Sequence, residues 1–141
     1  MGTEAVGCRE TRESRTVLVA DDNAAVCEVV IAALAEDDVQ VLKAFDGEEA
    51  VASAREHRPD AIVLDLLMPK LDGISALVRL RADPITRNIP VLMMSGMPGK
   101  EASLLAAAYG AGEFLVKPFQ MQQLVTRIRA LLDSAPVSGG V

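Results

Sequence analysis

Ala61-Ile62-Val63-Leu64-Asp65 is the stretch on which the fold turns. Four apolar residues in a row are too few for a helix, and two of them are β-branched. Bounded by Pro59 and Asp65, they read as a strand buried on both faces. The same signature recurs. Val17-Leu18-Val19-Ala20 stops at Asp21-Asp22-Asn23, Val91-Leu92-Met93-Met94 opens after Pro90 and stops at Ser95, and Phe114-Leu115-Val116 stops at Lys117-Pro118. Val39 to Ala44 is less uniform, because Gln40 and Lys43 interrupt it, which predicts a strand at a sheet edge.

Helical patterns fill the gaps. Asp21-Asp22-Asn23 can cap a helix from Ala24 to Ala35. Asp46-Gly47 turns the chain into a helix around Glu48 to Glu56, which Pro59 prevents from running on. After turns at Met68-Pro69 and Asp72-Gly73 a helix is predicted over Ile74 to Arg81. A loop with Gly96, Pro98 and Gly99 leads to an Ala-rich helix stopped by Gly110. Met121, Leu124, Val125, Ile128, Leu131 and Leu132 fall at steps of three and four, an amphipathic helix. Strict alternation with short loops gives an α/β domain, a doubly wound five-stranded parallel sheet with right-handed crossovers and helices on both faces. Four of the strands are continuously apolar and should be covered on both sides. A helix bundle does not fit such short apolar runs.

The chain has 141 residues, 50% of them hydrophobic, which suits one compact domain. With 24% charged residues and a net charge of -6 it reads as neither a disordered acidic tail nor a basic nucleic-acid binder. Aromatics at 3% and the absence of Trp argue against a base-stacking surface. Charges such as Glu28 break every apolar run before the ~18 residues of a membrane span, and the first residues lack the apolar core of a secretory signal. Cys8 and Cys27 form neither a disulfide framework nor a metal motif. The expected organisation is a flexible tail over 1–15, one domain over 16–133 and a flexible tail over 134–141, in a cytoplasmic protein with no further domain after Asp133.

In a parallel sheet every strand ends on one edge. The residues at those ends are Asp21 and Asp22, then Asp65, Ser95 and Lys117, separated by 43, 30 and 22 residues. A βα unit takes roughly 20–30 residues when its loops are short, so the first gap holds two units and the others one each. Three carboxylates, a hydroxyl and an amine should therefore converge where open α/β sheets bind ligands. Crowded carboxylates repel, and a hard divalent cation answers them: Mg²⁺ takes oxygen ligands and works with one or two carboxylates plus a phosphate. A carboxylate can also attack phosphorus and form an acyl phosphate, with Lys117 and the metal stabilising the arriving charge.

This set resembles the receiver domains of two-component response regulators. The resemblance rests on Asp21-Asp22, Asp65 with Met68-Pro69 and Asp72-Gly73 after it, Ser95-Gly96 and Lys117-Pro118-Phe119, and covers Thr16 to Asp133. It implies the strand order 2-1-3-4-5, for which a member of this family is itself a standard example. It further implies Asp65 as phosphoacceptor and Mg²⁺ held by Asp65, Asp22, the main-chain carbonyl of Leu67 and, mostly through water, Asp21. Ser95 would bond the phosphoryl group as a switch residue, Lys117 would pair with it, and the Lys117-Pro118 bond would be cis. Phe114 stands where the family has its aromatic switch residue. The implied protein is a stand-alone signalling domain rather than an enzyme, although it assists its own phosphorylation and slow dephosphorylation. Its partners would be a sensor histidine kinase or a histidine phosphotransfer protein and an unidentified downstream protein, with no nucleic acid or membrane, and it would be a monomer or weak dimer. Phosphorylation would alter the face made by the fourth helix, fifth strand and fifth helix.

Plainer readings stand beside these. Asp21-Asp22-Asn23 could be only a cap, Asp65 a turn residue, Ser95 a loop hydroxyl and Lys117 a surface amine. Taken jointly on one edge they are not. His57 reads as a cation near a helix C-terminus, Met93, Met94 and Met97 as core or loop residues, Cys27 as a small apolar residue and Tyr109 as packing. Phe114 is open between packing and switching. Two other functions fit the fold: a Mg²⁺-dependent phosphohydrolase with an aspartyl nucleophile, and a non-phosphorylated binding module.

Overall fold

The computed structural model describes residues 15–97 and 100–134. Cys8, most of the two expected tails, and Pro98 and Gly99 lie outside the described residues. Five parallel strands, β1 (Arg15–Ala20), β2 (Val39–Ala44), β3 (Ala61–Asp65), β4 (Val91–Ser95) and β5 (Glu113–Val116), form one sheet in the order β2-β1-β3-β4-β5. Five helices alternate with them: α1 (Ala24–Leu34), α2 (Gly47–His57), α3 (Gly73–Ala82), α4 (Glu101–Ala108) and α5 (Met121–Ser134). The expected doubly wound fold is the observed one.

The sheet splits the core in two. Leu18, Ile62, Leu64 and Met93 pack under α2, α3 and α4, while Val17, Val19, Val63, Leu92 and Met94 pack under α1 and α5. Successive residues of one strand thus face opposite layers, and burying both is why β1, β3 and β4 are apolar without alternation. β5 departs from that expectation. It is the second edge of the sheet; Phe114 is half-buried and Val116 is 54% exposed, so an apolar run there does not mean two covered faces. Arg15 belongs to β1 rather than to a tail: it pairs with Val39 and its guanidinium donates to Leu132 O at 2.6 Å.

Two Asp-Gly pairs do more than turn the chain. Asp46 and Asp72 are N-caps whose carboxylates accept from Glu49 N and Ser75 N, each at 2.8 Å, and Gly47 and Gly73 are the first helical residues. Both helix starts press on the connection after β3. A Cβ on Gly47 would collide with the Leu71 backbone, and one on Gly73 would lie 2.9 Å from Leu66 Cα. Gly73 N donates to Leu66 O at 2.8 Å, and Lys70 reaches Asp46 at 3.6 Å. The connection that follows Asp65 is therefore clamped between two helix N-termini.

α4 is inverted. Its buried positions are Ala102 and Ala106, whereas Leu104 and Leu105 are 66% and 48% exposed. Tyr109, expected to pack, is 46% exposed at its C-cap, because the alanines leave no depth on that side for a ring. Gly73→Ala should lower stability by roughly 1–3 kcal/mol, because the collision is with backbone that cannot turn aside. Urea unfolding of that variant beside the solvent-facing Gln122→Ala is the measurement, and equal midpoints would show that the clamp has slack.

Candidate functional site

Register brings the strand ends together. Ala20 is level with Leu64, so Asp21 and Asp65 emerge side by side. Asp65 is level with Met94, which puts Ser95 one residue beyond it on β4, and Ser95 is level with Val116, one residue before Lys117. Strand order and register alone thus place Asp21, Asp65, Ser95 and Lys117 on one edge, as the strand-end reading expects.

The residues after β1 divide the work. Asn23 caps α1, its side chain accepting from Ala25 N at 2.9 Å. Asp21 is fully buried and accepts from Asn23 N at 2.9 Å through one oxygen and from Lys117 Nζ at 3.1 Å through the other. Asp22 takes neither of those roles and stays exposed. Lys117 Nζ also lies 3.2 Å from Asp65 Oδ1, so one ammonium spans two carboxylates from different strands. Oxygens of Asp21, Asp22 and Asp65 all fall within 4.8 Å of one another.

The charge at this edge does not balance. Burial first, and then the Asp21 carboxylate, push the Asp65 carboxyl up to about 6 against the pull of Lys117. Burial pulls the Lys117 ammonium down, but its bonds to Asp21 and its attraction to Asp65 prevail and leave it raised. Three carboxylates against one ammonium leave a formal excess of two negative charges. Hard oxygens in that excess suit Mg²⁺, so the residues present fit the ion.

The other expected site residues surround this centre. Ser95 is buried and its Oγ accepts from Met97 N at 3.0 Å, while its carbonyl accepts from Lys117 N at 2.8 Å. Leu67 sits in the clamped connection with its side chain 62% exposed. The Lys117-Pro118 peptide is cis. Phe114 packs against the core layer of α2, α3 and α4. Met93 and Met94 are core residues and Met97 is exposed. His57 ends α2 on the surface, and Cys27 is buried with its thiol donating to Val19 O at 3.8 Å. Gly47, Gly73 and Lys70, which shape the connection carrying Leu67, were not among the expected site residues; the two Asp-Gly pairs were the signal for the glycines, and Lys70 had none.

A parallel 2-1-3-4-5 sheet with an acidic triad and a lysine at its carboxyl edge defines a class. The family model for the response regulator receiver domain matches residues 17–129, and the chain belongs to that family: it is a signalling domain of two-component systems. Among characterised relatives, the transcriptional regulatory protein PrrA of Mycobacterium tuberculosis is 42% identical over 84% of this chain, which spans 50% of PrrA. The chain thus covers about half the length of such relatives. Among solved structures, the Francisella response regulator 1452 receiver domain matches with a TM-score of 0.79 and 33% identity over 86% of this chain and 99% of that one. The receiver domain of sensor histidine kinase PA1611 of Pseudomonas aeruginosa, with a magnesium ion in its active site cleft, matches at 0.76 and 29% over 86% and 99%. Among the described residues, no helix is long and apolar enough to cross a membrane.

A carboxyl raised in the folded state binds its proton more readily there than in the unfolded chain. Its charge therefore weakens the fold increasingly as pH rises from about 4 to about 6, by on the order of 3 kcal/mol in all. Asp65→Asn should melt above the wild type near neutral pH in metal-free buffer, and the gap should close near pH 4. A gap that is the same at both pH values would show that the Asp65 charge is not the cause.

Proposed function

We propose that this domain accepts a phosphoryl group on Asp65 from a histidine kinase or a histidine phosphotransfer protein and thereby switches a protein-binding surface. The observation that carries this reading is the single Lys117 ammonium shared by Asp21 and Asp65, with the Asp22 carboxylate exposed beside them. An Asp65 oxygen attacks phosphorus, the P–N bond of the phosphohistidine breaks, and the imidazole leaves with a proton taken from solvent. Asp22, Asp65, the Leu67 carbonyl and, less directly, Asp21 would hold Mg²⁺, which when bound would supply neutralising charge at that centre. Lys117 exchanges its contact with Asp65 Oδ1 for one with a phosphoryl oxygen and stays anchored on Asp21. Ser95 donates its hydroxyl proton to another phosphoryl oxygen. The positioning and fixed charges of the domain assist both the transfer and a slow hydrolysis.

The switch follows from those changes. Ser95 Oγ holds the Met97 amide, so its movement is passed to the connection before α4. Phe114 lies in the layer beneath α4 and can take up the space released, which changes the face of α4, β5 and α5. A phosphoryl group shifts the equilibrium only by contacts that differ between the two states, and the Ser95 bond is one of them. The protein is cytoplasmic and passes its signal on by docking to a downstream protein.

Incubation with Mg²⁺ and a small acyl phosphate should add one phosphoryl mass to the intact protein and none to Asp65→Asn. Labelling of both would overturn the assignment of the acceptor. Lys117→Ala should keep the single site but slow adduct formation by about 10²-fold, the usual effect of removing one preorganised charge stabiliser. An unchanged rate would remove Lys117 from the chemistry.

A further inference from the structure

The two ends of α4 are held very differently. At its carboxyl end Gly110 adopts φ +103°, its amide donates to Ala107 O at 3.1 Å, and the Ala111 amide donates to Ala106 O at 2.9 Å. Gly112 N then donates to Val91 O at 2.9 Å, which stitches the turn to β4. The Arg81 guanidinium of α3 closes the arrangement. Its Nη2 and Nε donate to Gly110 O at 2.8 and 3.3 Å, and Nη1 donates to Ile89 O at 2.8 Å and Arg87 O at 2.9 Å. A Cβ on Gly110 would stand 2.9 Å from Arg81 Nε, so the glycine serves the backbone twist and the close approach together. Among the described residues Arg81 has no carboxylate within ion-pair distance. Its charge is spent on carbonyls from two separate places, the turn at Arg87 and Ile89 and the turn at Gly110, each by charge-assisted bonds.

Among the described residues the amino end has no comparable set of bonds to its surroundings, only those of Ser103 Oγ and Leu104 N to Lys100 O within the helix itself. Lys100, the N-cap, makes no side-chain capping bond. The helix rests on the sheet through Ala102 and Ala106, and a methyl group gains far less from burial than a leucine side chain. The preceding connection is tied at Met97 N to Ser95 Oγ, the hydroxyl that the proposed reaction would redirect.

We infer that Arg81 and Gly110 form a fixed pivot, about which α4 swings at its amino end when Ser95 responds to phosphorylation of Asp65. This regulatory device rests on the phosphoacceptor reading. The helix is about 12 Å long at 1.5 Å per residue, so a small displacement near Lys100 tilts Leu104 and Leu105 while Tyr109 to Gly112 stay in place. Within α4 the displacement thereby falls on the exposed leucines and spares the carboxyl end. Arg81 is a positioning residue, remote from the acidic cluster.

Hydrogen exchange of the full chain, with and without Mg²⁺ and fluoroberyllate as the phosphoryl mimic, tests this directly. Fluorine NMR of the bound mimic establishes occupancy. In the wild type, the mimic should alter exchange at 101–105 and leave 109–112 unchanged. Arg81→Lys keeps the charge but loses the fork; it should retain the bound-mimic signal, and the mimic should then alter exchange at 109–112 as well. Exchange there should also be faster by about tenfold without the mimic, the worth of one lost charge-assisted bond. A wild type in which the mimic changes 109–112 as much as 101–105 overturns the pivot, without needing any variant. So does an Arg81→Lys protein whose response stays confined to 101–105. A wild type that binds no mimic fails the phosphoacceptor reading and the pivot with it.

Discussion

One ammonium held between two carboxylates organises this molecule. Lys117 comes from the last strand of the sheet, Asp21 from the first and Asp65 from the third, so the contact closes a path across four of the five strands. It does not neutralise the edge. A buried ion pair of this kind gains little net stability, because desolvation offsets most of the attraction. Its effect is to hold a surplus of negative charge in place while leaving the Asp22 carboxylate exposed. Asp65 carries the strain of that surplus, with its proton affinity raised by burial and by Asp21. Such a site is poised to take up positive charge and to hand over a lone pair, the two requirements of a carboxylate that is to be esterified.

Much of the architecture was legible because a parallel sheet is simple to read. Each central strand is an unbroken apolar run, and each stops at a polar residue on the same edge, so Asp21, Asp65, Ser95 and Lys117 could be gathered before any coordinates. The strand order came from the resemblance rather than from the spacing. The legible part ends where side chains meet backbone. Arg81 bonds to carbonyls, which every residue carries, and the turn at Arg87 and Ile89 that it joins to Gly110 lies some twenty residues away in sequence. Asp46-Gly47 and Asp72-Gly73 look like turns because the same dipeptide serves a turn and a capped helix start equally well. β5 reads like β3, since an apolar run does not report whether a neighbouring strand lies on both sides. Tyr109 escaped for a related reason: an Ala-rich helix has no strong apolar face, so its rotation over the sheet cannot be deduced from the pattern.

Two connections along the sheet edge are held in different ways. Around Leu67, backbone meets backbone at both glycines, and Gly73, Leu71 and Leu66 are each tied by main-chain bonds. Around Met97, among the described residues, the tie is a single hydroxyl, that of Ser95. The first kind of connection follows β3 and carries Leu67, and the second follows β4 and leads towards α4.

The clamped segment from Leu66 to Asp72 has a consequence for how such chains can diverge. With glycine backbones abutting it from both flanks, its length is a fixed dimension: one residue more or fewer would drive a helix terminus away from the acidic cluster. Drift in this region must proceed by exchanging outward-facing side chains, as at Leu67 and Lys70, under a frozen main-chain path. Diversity in side-chain chemistry can accumulate there, whereas diversity in shape has to be accommodated elsewhere in the chain.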